Sequence, residues 1–343
     1  KLDGGLIDHS QTDGFDLSIF NGETLDQLPI AGSFVGVGAG VTLDNVETNI
    51  PVYTSRIFGL SGGLIGGVTS NYFIGSIYYS APTTITNAKS NGYVEGYIAG
   101  GVYALAVPVF MINQDFSQDN VENSRVVLDN VQRTGDTKCT QICAGAMAAS
   151  GMQVDVNNFT NSGSVITNLT DTGTVFDRES GDIAHLCSFQ SAGGISAVQL
   201  MFPLSINNST NTGKIQSTSY TQKSICQGYE GSAQGIGGLV GTSVAPIDGL
   251  FDILFEGYVG NSIGDHKLTI TNSSSSGAVE TNVPYNAGGI VGFAWGDSLF
   301  DNVSSTSNVT STADVDPMFN FMQFTFNSTG GFVGKILGGV EGA

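Results

Sequence analysis

The sequence predicts an all-β protein whose strands wind into a repeat solenoid, expected to be a right-handed parallel β-helix with irregular loop insertions. Three observations predict this fold class. The 343 residues include 48 glycines, which is too many for a helical protein because each interior glycine destabilises a helix by about 1 kcal/mol. Apolar residues make up 40% of the chain and charged residues only 12%, so the chain can bury a core. Finally, two short motifs alternate along the chain.

The charge balance excludes one class of partner. The chain has 11 Lys and Arg residues against 30 Asp and Glu residues, which gives a formal net charge of −19. A nucleic-acid binder needs a basic surface that displaces counterions from phosphates. We therefore expect no nucleic-acid partner, and we expect the acidic surface to keep the protein soluble.

The first motif is a small residue and a glycine, followed by two apolar residues and another small residue. Its eight copies have the following residues at the second position: Ser33, Gly63, Gly101, Gly145, Gly194, Gly238, Gly289 and Gly331. The copies at Gly145 and Gly194 depart from the pattern, so the middle coils are expected to be irregular. Glycine pairs also occur in the turns of β-sandwiches, but eight ordered copies favour a solenoid.

The second motif lies between copies of the first and centres on an asparagine. An apolar residue and then a polar residue precede the asparagine. A Ser- or Thr-rich step follows it, then often a glycine, and finally Val or Ile. Its asparagines are Asn45, Asn87, Asn130, Asn158, Asn168, Asn208, Asn272 and Asn302.

Elementary stereochemistry explains both motifs. Val and Ile flanked by polar residues predict short strands with one buried face. Asparagine tolerates a left-handed backbone, so Asn45, Asn87 and Asn130 are predicted to form sharp corners. In stacked coils these side chains lie about 4.8 Å apart and can bond to one another along the stack. The unequal repeat intervals predict loops of different length inserted at one corner.

Together the two motifs resemble the GLUG repeat of bacterial and protist surface proteins, which include adhesins and the non-catalytic region of immunoglobulin-A metallopeptidases. Residues 238–241, Gly-Leu-Val-Gly, and the segment from Asn272 to Val279 carry the resemblance. It extends over residues 30 to 340 and implies a β-solenoid surface module without an active site.

Two domains are expected. Residues 31–343 are predicted to form the solenoid, with about eight degenerate repeats, and residues 1–30 an N-terminal segment that serves as a cap or an assembly strand. No asparagine motif follows Gly331, so we expect an open last coil. Either further repeats of a longer chain or the N-terminal segment of another copy would complete it, with Leu2, Leu6 and Ile7 as the apolar residues. Contacts of the second kind do not close and produce filaments.

Strings typical of enzymes occur in unsuitable contexts. Residues 296–299, Gly-Asp-Ser-Leu, match the GDSL esterase motif, but Asp182 and His185 precede this block instead of following it. The string at residues 59–63 matches Gly-x-Ser-x-Gly but lacks the strand–helix alternation of a nucleophile elbow. We therefore predict no catalytic residues. The rival function is a carbohydrate-active β-helix lyase or glycosidase, which would need a convergent acidic cleft.

Candidate metal ligands are sparse. The three histidines, His9, His185 and His266, have no metal-ligand spacing. Carboxylates form three clusters, at Asp13 and Asp16, Asp115 and Asp119, and Asp314 and Asp316. We expect these to be solvated loop residues, with a calcium site as the alternative and no other cofactor.

The four cysteines, Cys139, Cys143, Cys187 and Cys226, allow three pairings. Because the resemblance to GLUG surface proteins implies a secreted chain, we expect disulfides that join loops in the irregular centre. Buried free thiols are the alternative.

Asparagines in Asn-x-Ser/Thr sequons favour an extracellular, glycosylated surface. They are Asn158, Asn168, Asn207, Asn208, Asn272, Asn302, Asn308 and Asn327. Asn308 and Asn327 lie outside the repeat corners and are the better candidates.

Two further features of the sequence bear on a membrane span and on ligand binding. The most apolar segment, residues 98–112, has 15 residues with two glycines and a proline, against roughly 20 for a membrane span, so we predict a buried strand. A glycan- or ice-binding surface is a third functional class. Ice binding would require a flat threonine ladder, of which Thr84 and Thr86 are the only hint.

Overall fold

In a computed structural model the chain is an all-β solenoid of parallel strands. The structure describes residues 1–9, 29–54, 59–69, 71–74, 77–108, 123–168, 190–218, 234–244, 267–282, 286–312, 328–338 and 340–342. Each coil passes in turn through three sheets. We name them the glycine sheet, the asparagine sheet and the cysteine sheet, after the residues that mark them.

The glycine sheet contains the strand that follows each copy of the glycine motif. Its eight strands, one for each coil, are Val35–Ala39, Ile65–Thr69, Tyr103–Val107, Met147–Ser150, Ser196–Leu200, Val240–Val244, Val291–Trp295 and Val333–Leu337.

The asparagine sheet carries the corner asparagines. Its 13 strands are Thr42–Asp44, Glu47–Thr48, Thr83–Ser90, Arg125–Arg133, Gln153–Asn157, Thr160–Asn161, Leu204–Asn207, Thr210–Asn211, Lys267–Thr271, Ser274–Ser275, Asp297–Asp301, Ser304–Ser305 and Val340–Gly342.

The cysteine sheet closes each coil and leads to the next glycine motif. Its 14 strands are Ile7–His9, Ile30–Gly32, Val52–Thr54, Leu60–Gly62, Val94–Gly100, Thr137–Ala144, Val165–Asn168, Ser191–Gly193, Ile215–Thr218, Gly235–Gly237, Val279–Thr281, Asn286–Gly288, Val309–Ser311 and Thr329–Gly330. One antiparallel hairpin, Asn71–Ile74 with Ile77–Ser80, lies between the glycine and asparagine sheets of the second coil.

Side-chain alternation explains why these short segments form strands. In Gln153–Asn157 the apolar residues Val154 and Val156 are fully buried, while the residues on either side are partly exposed. Val154 pairs with Leu204, which pairs with Leu268 in the following coil. Apolar side chains therefore stack on apolar side chains through the solenoid, and the asparagine and glycine sheets share one core.

The corners have the predicted backbone. Seven asparagines have φ angles of 48–54°, in the left-handed region that asparagine tolerates. They are Asn45, Asn87, Asn130, Asn158, Asn208, Asn272 and Asn302. The interpretation of Asn168 as an eighth corner is wrong: Asn168 ends a strand of the cysteine sheet and pairs with Thr218.

Insertions occur at two places in the coil, and the prediction of a single insertion corner is wrong. Asn168 and Ser191 delimit a long segment within the cysteine sheet, whereas Val244 and Lys267 delimit one between the glycine and asparagine sheets. The physical reason is that any exposed turn of a solenoid tolerates extra residues when its two flanking strands remain paired.

The N-terminal residues lie on the first coil of their own chain. Leu2 forms a parallel bridge with Thr48, and Ile7–His9 pairs with Val52–Thr54. These residues extend the stack of parallel strands beyond the first coil, at the N-terminal end of the solenoid.

Candidate functional site

The exposed corner asparagines form a ladder along the outside of the solenoid. Asn130 Nδ2 donates to Asn87 Oδ1 at 2.8 Å, and Asn208 Nδ2 donates to Asn158 Oδ1 at 2.6 Å. Asn302 Nδ2 likewise donates to Asn272 Oδ1 at 2.9 Å. Each amide therefore donates to the coil that precedes it in sequence.

Where two successive corner amides are not bonded to each other, the residue before the corner asparagine of the preceding coil accepts the hydrogen bond instead. Asn158 Nδ2 donates to Asp129 at 2.7 Å, and Asn272 Nδ2 donates to Asn207 at 3.1 Å. At the N-terminal end Asp44 accepts hydrogen bonds from Thr86 and Asn87. These hydrogen bonds, Thr86 first, hold the pKa of the Asp44 carboxyl below its ordinary value.

A second ladder of backbone hydrogen bonds runs through the turns that enter the glycine sheet. The N–H of the first apolar residue in each glycine motif donates to the carbonyl of the equivalent residue one coil later, at 2.8–3.1 Å. The successive residues are Phe34, Leu64, Val102, Ala146, Ile195, Leu239, Ile290 and Phe332. The direction is opposite to that of the asparagine ladder.

The two ends of the solenoid expose positions that are buried elsewhere. The six internal residues of the backbone ladder are fully buried, whereas Phe34 and Phe332 are half-buried. Val35 and Val333, which follow them, are also half-buried. The core positions at both ends are therefore only partly covered.

Arg133 is a buried cation that the sequence patterns did not indicate. Its guanidinium donates to the carbonyls of Ser90, Gly92 and Asp136, and to the hydroxyls of Ser90 and Thr137. Burial lowers its pKa, and the Asp136 carboxylate opposes that shift. Arg133 joins two coils by their backbone. The only sequence signal is its place, three residues after Asn130, where the other coils carry Ser, Thr or Asn.

Cys139 and Cys143 form a disulfide within a single strand, with Cα atoms 5.7 Å apart. Both cysteines are buried. This strand has a bulge opposite residues 96–98, where its register with the neighbouring strand shifts. The disulfide spans the bulge, at the position in the coil where other coils insert a loop. This pair does not join two loops as expected, because the bulge brings two positions of the same strand together. Cys187 and Cys226 lie outside the described residues.

The sequon asparagines fall into distinct environments. Asn158, Asn208, Asn272 and Asn302 are corner residues held in the ladder, and Asn207 accepts hydrogen bonds from Thr271 and Asn272. Asn168 is partly buried. Asn308 is exposed and lies outside the ladder, while Asn327 lies outside the described residues.

The serines of the enzyme-like strings are structural. Ser298 is buried, and it pairs in register with Leu268 and Val340 in a continuous sheet. Ser61 is fully buried, donates to the Glu95 carbonyl and shares a hydrogen bond with Thr54. Neither hydroxyl can reach a substrate in solution.

Most candidate ligands for a metal lie outside the residues that the structure describes. His185, His266 and the aspartates at 13, 16, 115, 119, 314 and 316 lie outside the described residues, and His9 ends a strand. The part of the chain that the structure describes holds no group of three or more potential metal ligands. The same part contains no helix of the length and apolar character that a membrane span requires.

Two surfaces bear on ligand binding. The rings of Tyr53 and Tyr93 lie 5.5 Å apart, and the Tyr93 hydroxyl donates to Glu95 at 2.8 Å. Thr84 stacks on Thr42, but the next coils place Val127 and Asp155 in that column, so it is not a continuous threonine ladder.

Leu2, Leu6 and Ile7, the candidate assembly residues, differ in exposure. Leu2 and Ile7 are half-buried and paired with the first coil, whereas Leu6 is 58% exposed. Assembly through them stays a prediction.

Neither a protein-family model nor a curated protein matches this chain. Among solved structures, the chain is similar to the crystal structure of a candidate immunoglobulin A1 protease from Bacteroides ovatus. The alignment covers 96% of this chain and 76% of the other, with 13% sequence identity and a TM-score of 0.46. A likeness of this extent assigns neither an activity nor a partner.

Proposed function

We propose that this chain is a non-catalytic structural protein of the extracellular surface, in which the solenoid is a rigid segment of a filament, stalk or adhesin. The backbone ladder carries the proposal. It runs without interruption from Phe34 to Phe332, so every coil is fixed to the next. A one-dimensional stack of this kind resists bending and sets a distance between its ends.

The disulfide supports the extracellular part of the proposal. Disulfides persist in secreted and surface proteins, whereas reducing compartments keep thiols free. The Cys139–Cys143 bridge lies within the wall of the solenoid, where it constrains a bulged strand. The resemblance to GLUG surface repeats points the same way and stays a prediction.

Labelling of the source cells tests this proposal. An antibody raised against residues 1–343 should label intact cells without permeabilisation, while an antibody to a cytosolic protein should not. The purified chain should release no product from a panel of polysaccharides or from immunoglobulin A1. Labelling only after permeabilisation, or turnover of any substrate in the panel, would contradict the proposed role.

A glycan-binding surface is the second candidate function, and the Tyr53–Tyr93 pair favours it. Two neighbouring aromatic rings beside a carboxylate offer an apolar face and a hydrogen-bond acceptor, both of which a sugar ring can use. Lys138 lies 3.9 Å from Glu95 and adds a donor to the same surface. A glycan array should give binding that Tyr93→Ala abolishes, and equal binding by that variant would remove this candidate.

A further inference from the structure

Two tyrosines lie on the outer face of the cysteine sheet, in its first two coils. Val52 and Thr54 are buried on either side of Tyr53, so the alternation of the strand places Tyr53 on the outside. Tyr53 and Tyr93 are both half-buried, and their ring centroids lie 5.5 Å apart with an interplanar angle of 42°. Two partly exposed, tilted rings form an apolar surface that solvent can reach.

Carboxylates flank Tyr53 on both sides in its column of the sheet. Tyr53 pairs in register with Asp8 on one side and with Glu95 on the other. Neighbouring strands lie about 4.8 Å apart, so a group seated on the Tyr53 ring is close to both carboxylates. Glu95 also accepts a hydrogen bond from the Tyr93 hydroxyl at 2.8 Å, which joins this carboxylate to the second ring.

The formal charge of this surface is negative. Asp136 lies one coil beyond Tyr93 and is exposed. With Asp8 and Glu95 it gives three carboxylates, against the one ammonium group of Lys138, which lies 3.9 Å from Glu95. Three negative groups and one positive group leave a formal charge of −2, on a chain that carries −19 in total. An anionic glycan would therefore be repelled both at a distance and at the rings.

The later coils do not repeat this arrangement. After Lys138 the column continues with Ile166, Gln216, Glu280 and Thr310. Glu280 forms an ion pair with Lys214 at 2.7 Å, as Glu95 does with Lys138, but no aromatic residue follows Tyr53 in the described strands of this column. The combination of rings and carboxylates is therefore specific to the first coils and is not a requirement of the repeat.

We propose that the surface around Tyr53 and Tyr93 binds a cationic glycan, whose sugar units carry free amines. The inference deepens the glycan-binding candidate above and rests on it. The C–H face of a sugar ring packs on a tyrosine ring, while the protonated amine lies over a ring face or against Asp8 and Glu95. A neutral sugar keeps only the packing. A lysine-rich peptide satisfies the carboxylates but offers no flat apolar ring to the tyrosines.

A matched pair of ligands tests this inference on the unmodified chain. The hexamers of glucosamine and of N-acetylglucosamine have the same backbone and differ in charge. At about pH 5.5 the free amines are protonated, whereas the acetamides are neutral. In isothermal titration calorimetry the chain of 343 residues should bind the glucosamine hexamer about tenfold more tightly, because a cation–π contact and an exposed ion pair each contribute modestly. Added salt should reduce the difference.

A neutral substitution at Glu95 tests where the preference arises. Glu95→Gln keeps an acceptor for the Tyr93 hydroxyl and removes the charge, so the preference should fall to about threefold while Asp8 remains. Affinity for the N-acetylglucosamine hexamer should not change. Glu280→Gln is the matched control, because Glu280 lies in the same column, has the same kind of ion pair and has no tyrosine beside it in the column. Circular dichroism checks that both variants keep their strands. An equal fall in both variants would overturn the site, because it would reflect total charge alone.

The outcomes separate this inference from the candidate function on which it rests. Failure to bind either hexamer would overturn both. Equal affinity for the two hexamers, or tighter binding of the N-acetylated one, would overturn the preference for a cationic glycan and leave glycan binding in place. Hexalysine that binds as tightly as the glucosamine hexamer would overturn the sugar as the ligand, because the carboxylates alone would then account for the affinity. None of these outcomes bears on the structural role.

Discussion

Arg133 packs directly against Gly101 across the interior of the solenoid. A Cβ atom on Gly101 would lie 2.5 Å from Arg133 Nε and 2.7 Å from its Cδ. The other coils repeat this relationship with smaller partners, such as Gly145 against Asn161 and Gly238 against Ser275. At each of these glycines the carbonyl oxygen of the equivalent glycine one coil later is closer still, at 1.9–2.1 Å from the added Cβ. The second glycine of the glycine motif is therefore required first by that carbonyl and then by the residue three positions after the corner asparagine, which links the two motifs.

Replacing Gly101 by alanine should destabilise the protein strongly. The new methyl group would collide with Arg133 and with the carbonyl oxygen of Gly145. Gly145 lies in the turn between the paired strands Thr137–Ala144 and Met147–Ser150 and its N–H is bonded to Gly193, so this carbonyl cannot retreat. We expect a loss of about 3 kcal/mol in the free energy of unfolding, measured by chemical denaturation. Gly331→Ala is the matched control, because it is the same motif position with no atom within 4 Å. Equal losses in the two variants would contradict this packing relationship.

The corner asparagines should be sensitive to backbone strain more than to the loss of one hydrogen bond. At Asn208, with φ of 48°, alanine would lose the ladder bond to Asn158 and also strain the backbone, whereas glycine would lose the bond alone. We expect Asn208→Ala to lower the free energy of unfolding by about 2 kcal/mol and Asn208→Gly by about 1 kcal/mol. Thermal unfolding followed by circular dichroism would rank them, and a more stable alanine variant would refute the argument.

The Cys139–Cys143 disulfide should stabilise the fold modestly, because it closes a short loop. Replacing both cysteines by serine should lower the free energy of unfolding by about 2 kcal/mol. Without reduction, the peptide that contains both residues should be two hydrogens lighter than its free-thiol form in a mass spectrum. As a control, a reducing agent should lower the unfolding midpoint of the wild type. The same agent should leave the unfolding midpoint of the double variant unchanged.

Asp44 should make acid stability depend on the asparagine ladder. Hydrogen bonds from Thr86 and Asn87 lower its folded-state pKa below 3.8, so the folded state binds fewer protons than the unfolded state near that pH. The stabilisation is fully present above the unfolded pKa and is lost as pH falls through the folded-state pKa. A carboxyl NMR titration of Asp44 should give a midpoint below 3.8, and Thr86→Val should raise it. An unchanged midpoint would show that Thr86 does not hold the carboxylate.

The sequence by itself determined the local geometry of this protein. Alternation of apolar and polar residues in segments such as Gln153–Asn157 indicated half-buried strands, and asparagine at the corners indicated a left-handed backbone. Both are properties of a residue and its immediate neighbours, so they can be read without knowing the fold. The resulting period was sufficient to predict a solenoid of stacked coils.

Only the tertiary structure decided which distant residues meet. The packing of Arg133 on Gly101 joins residues 32 positions apart within one coil, and no local pattern specifies that these two positions face each other. Asn168 matches the corner motif in sequence, yet it ends a strand because Val165 pairs with Ile215. Val198 and Phe293 do not belong to the core that the asparagine and glycine sheets share, and both are nevertheless buried. Burial and register depend on distant segments brought together by folding, and a short motif carries no information about them.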